Sequence, residues 1–466
     1  MSVSPAVAPS ARAWRKHLRG ARRAHHTRSL GDTLTDLYIV LWVLVVYGGI
    51  LFSAVRKHLR SPAGSVGVSP EVYWIGLAVL FATAGLAWRG ARAMGPLLAT
   101  PAEQSWGVST PVDRRGWLRP RFGALVLSAG FLATVMALLA TLLVGHVATL
   151  GWAALAGSAY GVTFAASTVA AQGDAAGTRW LRPAGWLFLG VGALTALAAV
   201  AAHYTGLSLP QPHLVSGPVL ALVGLPLAVL AIAAGTRTLP LLNRVALSAG
   251  ADVATATVSA TVWLDPSVLW NVLEVRRWRR VGTVRSRSFG LGRYGRSWTL
   301  LQADLRRQLR RPGALGVWAG LVLVLYAVGL VVPSAVGVTR IILAYVAAGR
   351  LMGGLRTLSG SPGLRRALGG SETEQRLSHL VVPALGTLLW WALTAPAGGV
   401  HLDAVELIMV AGVVGAAYRA ATRPPMSYGG AVFETPLGLF PMELVLQLAR
   451  GPDVLSGVLI LHALAR

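Results

Sequence analysis

Of the 42 basic residues in this chain only two, Lys16 and Lys57, are lysines. A phosphate-cradling loop needs a lysine that follows glycine and precedes Ser or Thr, so that its ammonium reaches the β- and γ-phosphates. Lys16 lies between Arg15 and His17, and Lys57 between Arg56 and His58, so neither meets that requirement. The 17 acids offer little more. Asp32, Asp36, Glu71, Asp403 and Glu406 stand at the starts of apolar runs, where a carboxylate suits the positive end of a helix dipole. The others fall in polar stretches or in a weaker C-terminal region, and none sits midway along a confident apolar run to bind a coupling ion. Asp403 and Glu406, three residues apart, admit two readings: N-terminal capping of the helix that follows, or acids holding a metal–diphosphate. Capping is the plainer role. The ten histidines are scattered apart from His25-His26, no H-E-x-x-H motif occurs, and there is no cysteine for thiol chemistry or disulfides. These residues do not assemble an enzyme, and we expect no metal and no cofactor bound to this chain.

The elements around them are of one kind. At least eight stretches are apolar and long enough to cross a bilayer, because a hydrocarbon core of roughly 30 Å needs about 20 helical residues. With no water at that depth only helices or closed barrels satisfy the backbone, and these runs are too continuous for barrel strands. The expected fold class is therefore all-α, a polytopic transmembrane helical bundle of ten to twelve spans. We place them at 35–55, 71–91, 121–145, 149–171, 184–203, 215–235, 314–332, 335–353, 378–396 and 402–420, with one or two weaker segments in 431–464.

Composition agrees: 54% of the 466 residues are hydrophobic and 13% charged. A net charge of +25 would suggest nucleic acid in a soluble protein, but here the loops carry it, as in cytoplasmic loops of bacterial membrane proteins, and no nucleic-acid partner is expected. The predominance of arginine, with abundant Ala, Gly and Val, fits a GC-rich coding sequence. Basic residues place the N-terminus, the 89–121 loop, Arg179 and Arg182, the 237–312 region and the 350–376 loop on the cytoplasmic side of the cell membrane. The 204–214 loop, without Lys or Arg, faces out. Arg56, Lys57 and Arg60 run against this pattern.

Four regions follow: a basic N-terminal segment 1–33, a first transmembrane half 34–236, a basic cytoplasmic linker 237–312 and a second transmembrane half 313–466. In the first, Arg12, Arg15, Lys16, Arg19, Arg22 and Arg23 share one helical face beside Trp14 and Leu18, which reads as an interfacial helix on an anionic leaflet or as a basic tail. The linker ends in a second amphipathic stretch, where Trp298, Leu301, Leu305 and Leu309 recur on one side and Arg306, Arg307, Arg310 and Arg311 on the other. Pro312 and Gly313 then break it. The halves repeat this order of elements, and Arg92-Ala93-Met94-Gly95 echoes Arg350-Leu351-Met352-Gly353, which suggests an internal duplication.

Two polar loops remain. In 98–120, Thr100-Pro101 with Glu103 has the pattern of a capped helix start, and a second turn from Ser109 to Asp113 precedes Arg114 and Arg115. A short surface helix exposing Trp106 would suit a soluble partner; the same residues would also serve as a folded linker with its Trp at the interface.

At this loop the chain resembles the membrane subunits of bacterial ATP-binding-cassette exporters, in particular a type-two-like set of permeases from high-GC Gram-positive bacteria. The resemblance rests on Thr100, Pro101, Ala102, Glu103, Pro111, Val112, Arg114 and Arg115. Further short matches are Leu264-Asp265-Pro266-Ser267, Ala303 to Arg307 with Arg310-Arg311-Pro312, His379 to Pro383, and Gly451-Pro452-Asp453, which together spread over nearly the whole chain. The resemblance implies a permease subunit driven by ATPase subunits made on another chain, with ATP bound there and not here. It makes 14–23 and 298–311 elbow helices, represented by Trp14, Arg19, Trp298, Asp304 and Arg307. Pro101, Glu103, Trp106, Pro111, Asp113, Arg114 and Arg115 become a first docking loop, and Ser359 to Arg376, with Arg365, Arg366, Glu372 and Glu374, a second. One chain or a homodimer would complete the transmembrane unit, in contact with membrane lipids. The alternative is a non-transporting anchor or assembly factor that holds a cytoplasmic partner at the membrane.

Overall fold

The computed structural model describes residues 70–99, 113–144, 149–173, 180–210, 217–248, 250–262, 295–398, 403–424, 432–435, 438–441 and 449–465, with single residues such as Glu103 between them. The N-terminal basic helix with Trp14 and Arg19, the span at 35–55, and Pro101, Trp106, Pro111 and the 264–267 stretch lie outside the described residues.

Nine helices among the described residues are long and apolar enough to cross a membrane. They are α1 (Pro70–Met94), α2 (Arg114–Val144), α3 (Leu150–Gln172), α4 (Ala184–Thr205), α5 (Gly217–Thr238), α9 (Pro312–Val331), α10 (Val336–Leu351), α13 (Glu372–Thr394) and α14 (Ala404–Ala421). Between them run the shorter α6 (Arg244–Ser248), α7 (Ala251–Val262), α8 (Gly295–Leu309), α11 (Gly353–Gly360) and α12 (Pro362–Leu368), and α15 (Pro452–Leu464) closes the chain. Each of the nine coincides with a span expected from hydropathy. The chain is a multi-pass helical membrane protein. The region 431–464 differs from expectation: it holds a small antiparallel hairpin, β1 (Val432–Thr435) with β2 (Gly438–Pro441), and then α15. At 13 residues α15 rises only about 20 Å, short of a bilayer core.

Local chemistry sets the ends. Pro70 opens α1 with Glu71 in its first turn, and Gly95 closes it at φ 75°, the left-handed turn that glycine adopts without strain. The echo at Arg350 to Gly353 ends a helix too, but there Gly353 simply opens α11. Asp113 caps α2, accepting from the backbone N–H groups of Arg115 and Gly116, both at 3.0 Å. The 31 residues of α2 rise roughly 46 Å, so its first turns, with Arg114, Arg115, Arg119 and Arg121, project beyond the apolar layer. Asp403 caps α14 through the N–H of Glu406 at 2.8 Å, the capping role read from the sequence.

The chain forms two compact units, one with residues 79–192 and 210–281, the other with 71–78, 193–209 and 282–466. In the first unit α3 packs against both α2 and α5. Gly157 and Gly161 of α3 sit directly on Ala129, Ala133 and Ala137 of α2, so close that a Cβ added at Gly157 would lie 2.7 Å from Ala137 Cβ and 2.8 Å from Ala133 O. This is a small-x-x-x-small contact, the usual route to close packing where lipid removes the hydrophobic drive. At the basic end of this unit the core closes around Trp117, Leu118, Phe122, Leu239 and Leu247. In the second unit α10 is central, meeting α9, α13 and α14 around Leu325, Ile341, Met352, Trp390 and Trp391.

Candidate docking site at the basic end of the second unit

The residues expected to dock a partner in the second half are brought together in one assembly with α8. α8 presents three stripes. Trp298, Leu305 and Leu309 are exposed, as an apolar strip against lipid should be, while Leu300, Asp304 and Gln308, spaced four apart, face the protein and are buried. The arginines do not form a simple opposite face. Arg310 is exposed, but Arg306, Arg307 and Arg311 are half-buried on the flanks. The correction has a physical reason: the protein-facing side of α8 meets backbone and loop groups, which prefer polar partners.

Those partners belong to the turn between α10 and α13. Gln308 donates to the carbonyl of Leu351, and Arg296 to that of Leu368. Arg307 Nη2 donates to Thr357 Oγ1 at 2.8 Å and Ser297 Oγ to Glu374 Oε1 at 2.7 Å. Gly353 and Gly354 let α8 approach: an added Cβ on Gly353 would lie 3.3 Å from Arg307 Nη2, and one on Gly354 would overlap Asp304 Oδ1. Gly369 and Gly370 turn the chain into α13 at φ 63° and 70°, and a Cβ on Gly370 would strike the Arg296 guanidinium.

Within the loop, Ser361 caps α12 and Ser371 caps α13, the latter through the N–H of Glu374 at 3.1 Å. Gln375 Nε2 donates to the carbonyls of Arg365 and Gly369 at 3.0 and 2.6 Å. Arg365 donates to Ser359 O at 2.7 Å and lies 3.5 Å from Glu372, which also takes Arg376 at 2.6 Å. Of the four residues expected to meet a partner, Arg365, Glu372 and Glu374 therefore shape the loop and tie it to α8. Arg366 is exposed, next to exposed Leu364 on α12.

Asp304 is the electrostatic oddity of this assembly. It is 1% exposed, and neither carboxylate oxygen meets a hydrogen-bond donor. Burial pushes its carboxyl above the ordinary value, against the opposing pull of His379, Arg307 and Arg311.

The first docking loop is described only in part. Glu103 is buried and takes both guanidinium nitrogens of Arg121, at 2.5 and 3.1 Å, while Arg121 also donates to Leu98 O at 2.8 Å. Asp113 is committed to capping α2, and Arg114 donates to Leu242 O at 3.3 Å. Arg115 is exposed. Of the four expected contact residues that are described, Glu103, Asp113 and Arg114 hold the loop itself. Gln172, at the end of α3, reads both backbone groups of Leu97 and the carbonyl of Ala246, and so fixes where α1 turns into the loop.

Sequence reasoning missed a second polar cluster. Arg340 on α10, 3% exposed, donates to Glu406 Oε2 at 3.0 Å and to Trp391 O at 2.9 Å, with its guanidinium 4.3 Å from the Trp391 ring centre. Trp391 Nε1 donates to the same Glu406 oxygen at 2.6 Å. The signal was an arginine inside an apolar run, Val336 to Ala348; a survey of acids alone passes over it. Glu406 is thus more than a capping residue.

A family model described as a family of unknown function (DUF6297) matches residues 68–431. No curated protein and no solved structure matches the chain.

Proposed function

We propose that this chain, which belongs to the DUF6297 family over residues 68–431, is the transmembrane subunit of an ATP-driven exporter, coupled through its cytoplasmic loops to a separate ATPase. The observation that carries the reading is the bonding of α8 to the α11–α12 turn. A helix lying along the membrane surface, two spans, a short helical turn rigidly tied back to that surface helix, and two more spans make a lever. A push on the exposed face of α12, at Leu364 and Arg366, passes through Arg296, Ser297 and Glu374 into both α8 and the start of α13. Rigid elements joined in this way move together, which is what a transition between two packings requires. Energy comes from the partner, since neither lysine of this chain is set in a phosphate loop. The N-terminus and these loops face the cytoplasm of the cell membrane, in keeping with their arginines.

The test is recovery of the partner. Purification of the chain from its host membrane is expected to bring an ATP-binding-cassette ATPase with it. Leu364→Asp combined with Arg366→Glu should lower that recovery by about tenfold, equivalent to roughly 1.4 kcal/mol, without lowering the thermal stability of the isolated subunit. Full recovery with that variant, or no ATPase with the wild type, would overturn the reading. The interior of each unit is closed by apolar side chains such as Trp390, Trp391 and Leu325 in the second and Leu118 and Val169 in the first. That favours a second reading, a membrane anchor for the same partner. An anchor leaves the partner's ATP hydrolysis rate unchanged in liposomes; a permease alters it.

A further inference from the structure

A cleft of about 670 Å³ opens between α13 and α14 within the second unit. Leu380, Ala384, Val410 and Val414 form its floor, and the outward-facing Leu385 and Leu407 its rim. Its polar lining is confined to one end, with Glu372, Thr373 and Arg376 in the first turns of α13 and Tyr418 in the last turn of α14. From Arg376 to Leu388 the groove follows α13 for roughly 18 Å without another polar side chain in its lining.

The lining itself selects the occupant, which must be apolar along the floor and polar at one end. Water finds no polar partners along the apolar floor. A single acyl chain laid along the floor meets the first condition, and a glycerophosphate at the polar end meets the second. The polar end selects the headgroup. Arg365 and Arg376 converge on the single carboxylate of Glu372, at 3.5 and 2.6 Å, which leaves an excess positive charge at the mouth. The Arg376 side chain is about a third exposed there, within reach of a phosphate oxygen that answers this charge.

We propose that this cleft is a binding site for one anionic glycerophospholipid, its acyl chain between α13 and α14 and its phosphate at Arg376. The site does not depend on the exporter reading, because it needs no partner protein. Its headgroup sits beside the loop that carries α12, so an occupied cleft would brace that loop.

Native mass spectrometry of the full chain, equilibrated with phosphatidylglycerol or with phosphatidylcholine in mild detergent, tests it. The wild type is expected to retain one phosphatidylglycerol about tenfold more strongly than phosphatidylcholine. Arg376→Gln should abolish that preference while retaining the chain. Gly415→Leu fills the cleft, and since a Cβ at Gly415 meets no atom within 4 Å, it does so without a clash in the protein; Ala411→Phe fills it from the same helix. Both should lower retention of either lipid about tenfold with unchanged unfolding temperature in lipid-free detergent. Equal retention by wild type and a folded cleft-filling variant would overturn the proposal. So would a photocrosslinking residue at Ala411 that reacts with residues 35–55 or with a second copy of the chain in place of lipid.

Discussion

The buried ionisable side chains Arg340, Glu406 and Asp304 are compensated in different ways. Arg340 and Glu406 satisfy each other and share Trp391, so each compensates the cost of burying the other. Arg340→Met should destabilise the subunit by about 3–5 kcal/mol, because Glu406 stays buried without its counter-charge. Arg340→Met with Glu406→Gln should cost clearly less, since the amide oxygen still accepts from Trp391. Unfolding in mixed detergent micelles measures both, and equal losses in the single and double variants would mean that the pair contributes nothing as a pair. Asp304 has no such partner. Because the folded chain holds its proton more tightly than the unfolded chain, its contribution is complete below the ordinary value of 3.8 and is lost as pH rises through the raised folded value. Asp304→Asn keeps the shape and cannot ionise. It should therefore unfold at a higher temperature than the wild type at neutral pH, with the difference shrinking toward roughly pH 4. A difference that grows as pH falls would contradict the assignment of burial as the dominant effect.

At the scale of elements, glycine decides where helices touch. Gly157-Ser158-Ala159-Tyr160-Gly161 brings α3 against α2 at backbone distance, and an added Cβ at Gly161 would lie 2.5 Å from Ala129 O. Backbone cannot retreat as a flexible side chain does, so the helices must separate. Gly161→Leu is expected to destabilise the subunit by about 1–3 kcal/mol or more, the cost of overpacking a closed interface. Gly190→Leu on α4, where an added Cβ meets nothing within 4 Å, should be close to neutral. Thermal unfolding of the two variants side by side checks the contrast. Helix α8 shows the same principle with charge added. α8 turns its apolar strip outward, its polar stripe inward, and needs the two glycines at the head of α11 to seat Asp304 and Arg307.

For the whole molecule, the distribution of arginine is the governing feature. In the proposed orientation the arginine-rich loops lie on the cytoplasmic side, and the ends of the nine spans among the described residues alternate accordingly. The chain has no cysteine, so single cysteines report position without background. A cysteine at Leu207 is expected to react with a membrane-impermeant maleimide on intact cells, and one at Arg366 only after lysis. Reaction of both from outside would refute the orientation.

The span pattern was legible in the amino-acid sequence because hydropathy acts residue by residue: about 20 apolar residues must be helical in lipid whatever their neighbours are. So were the caps at Asp113 and Asp403, since a capping side chain serves its own helix. The same holds for the outward strip of Trp298, Leu305 and Leu309. What only the tertiary structure decided depends on pairs far apart in the chain: Arg340 with Glu406, Asp304 beneath Gly354, Gln172 with Leu97, and the joining of Ser297 to Glu374. Each depends on a group far away in the chain that local sequence does not specify. A pattern along the chain says which face is apolar; it does not say which distant backbone or side chain waits beneath the polar one.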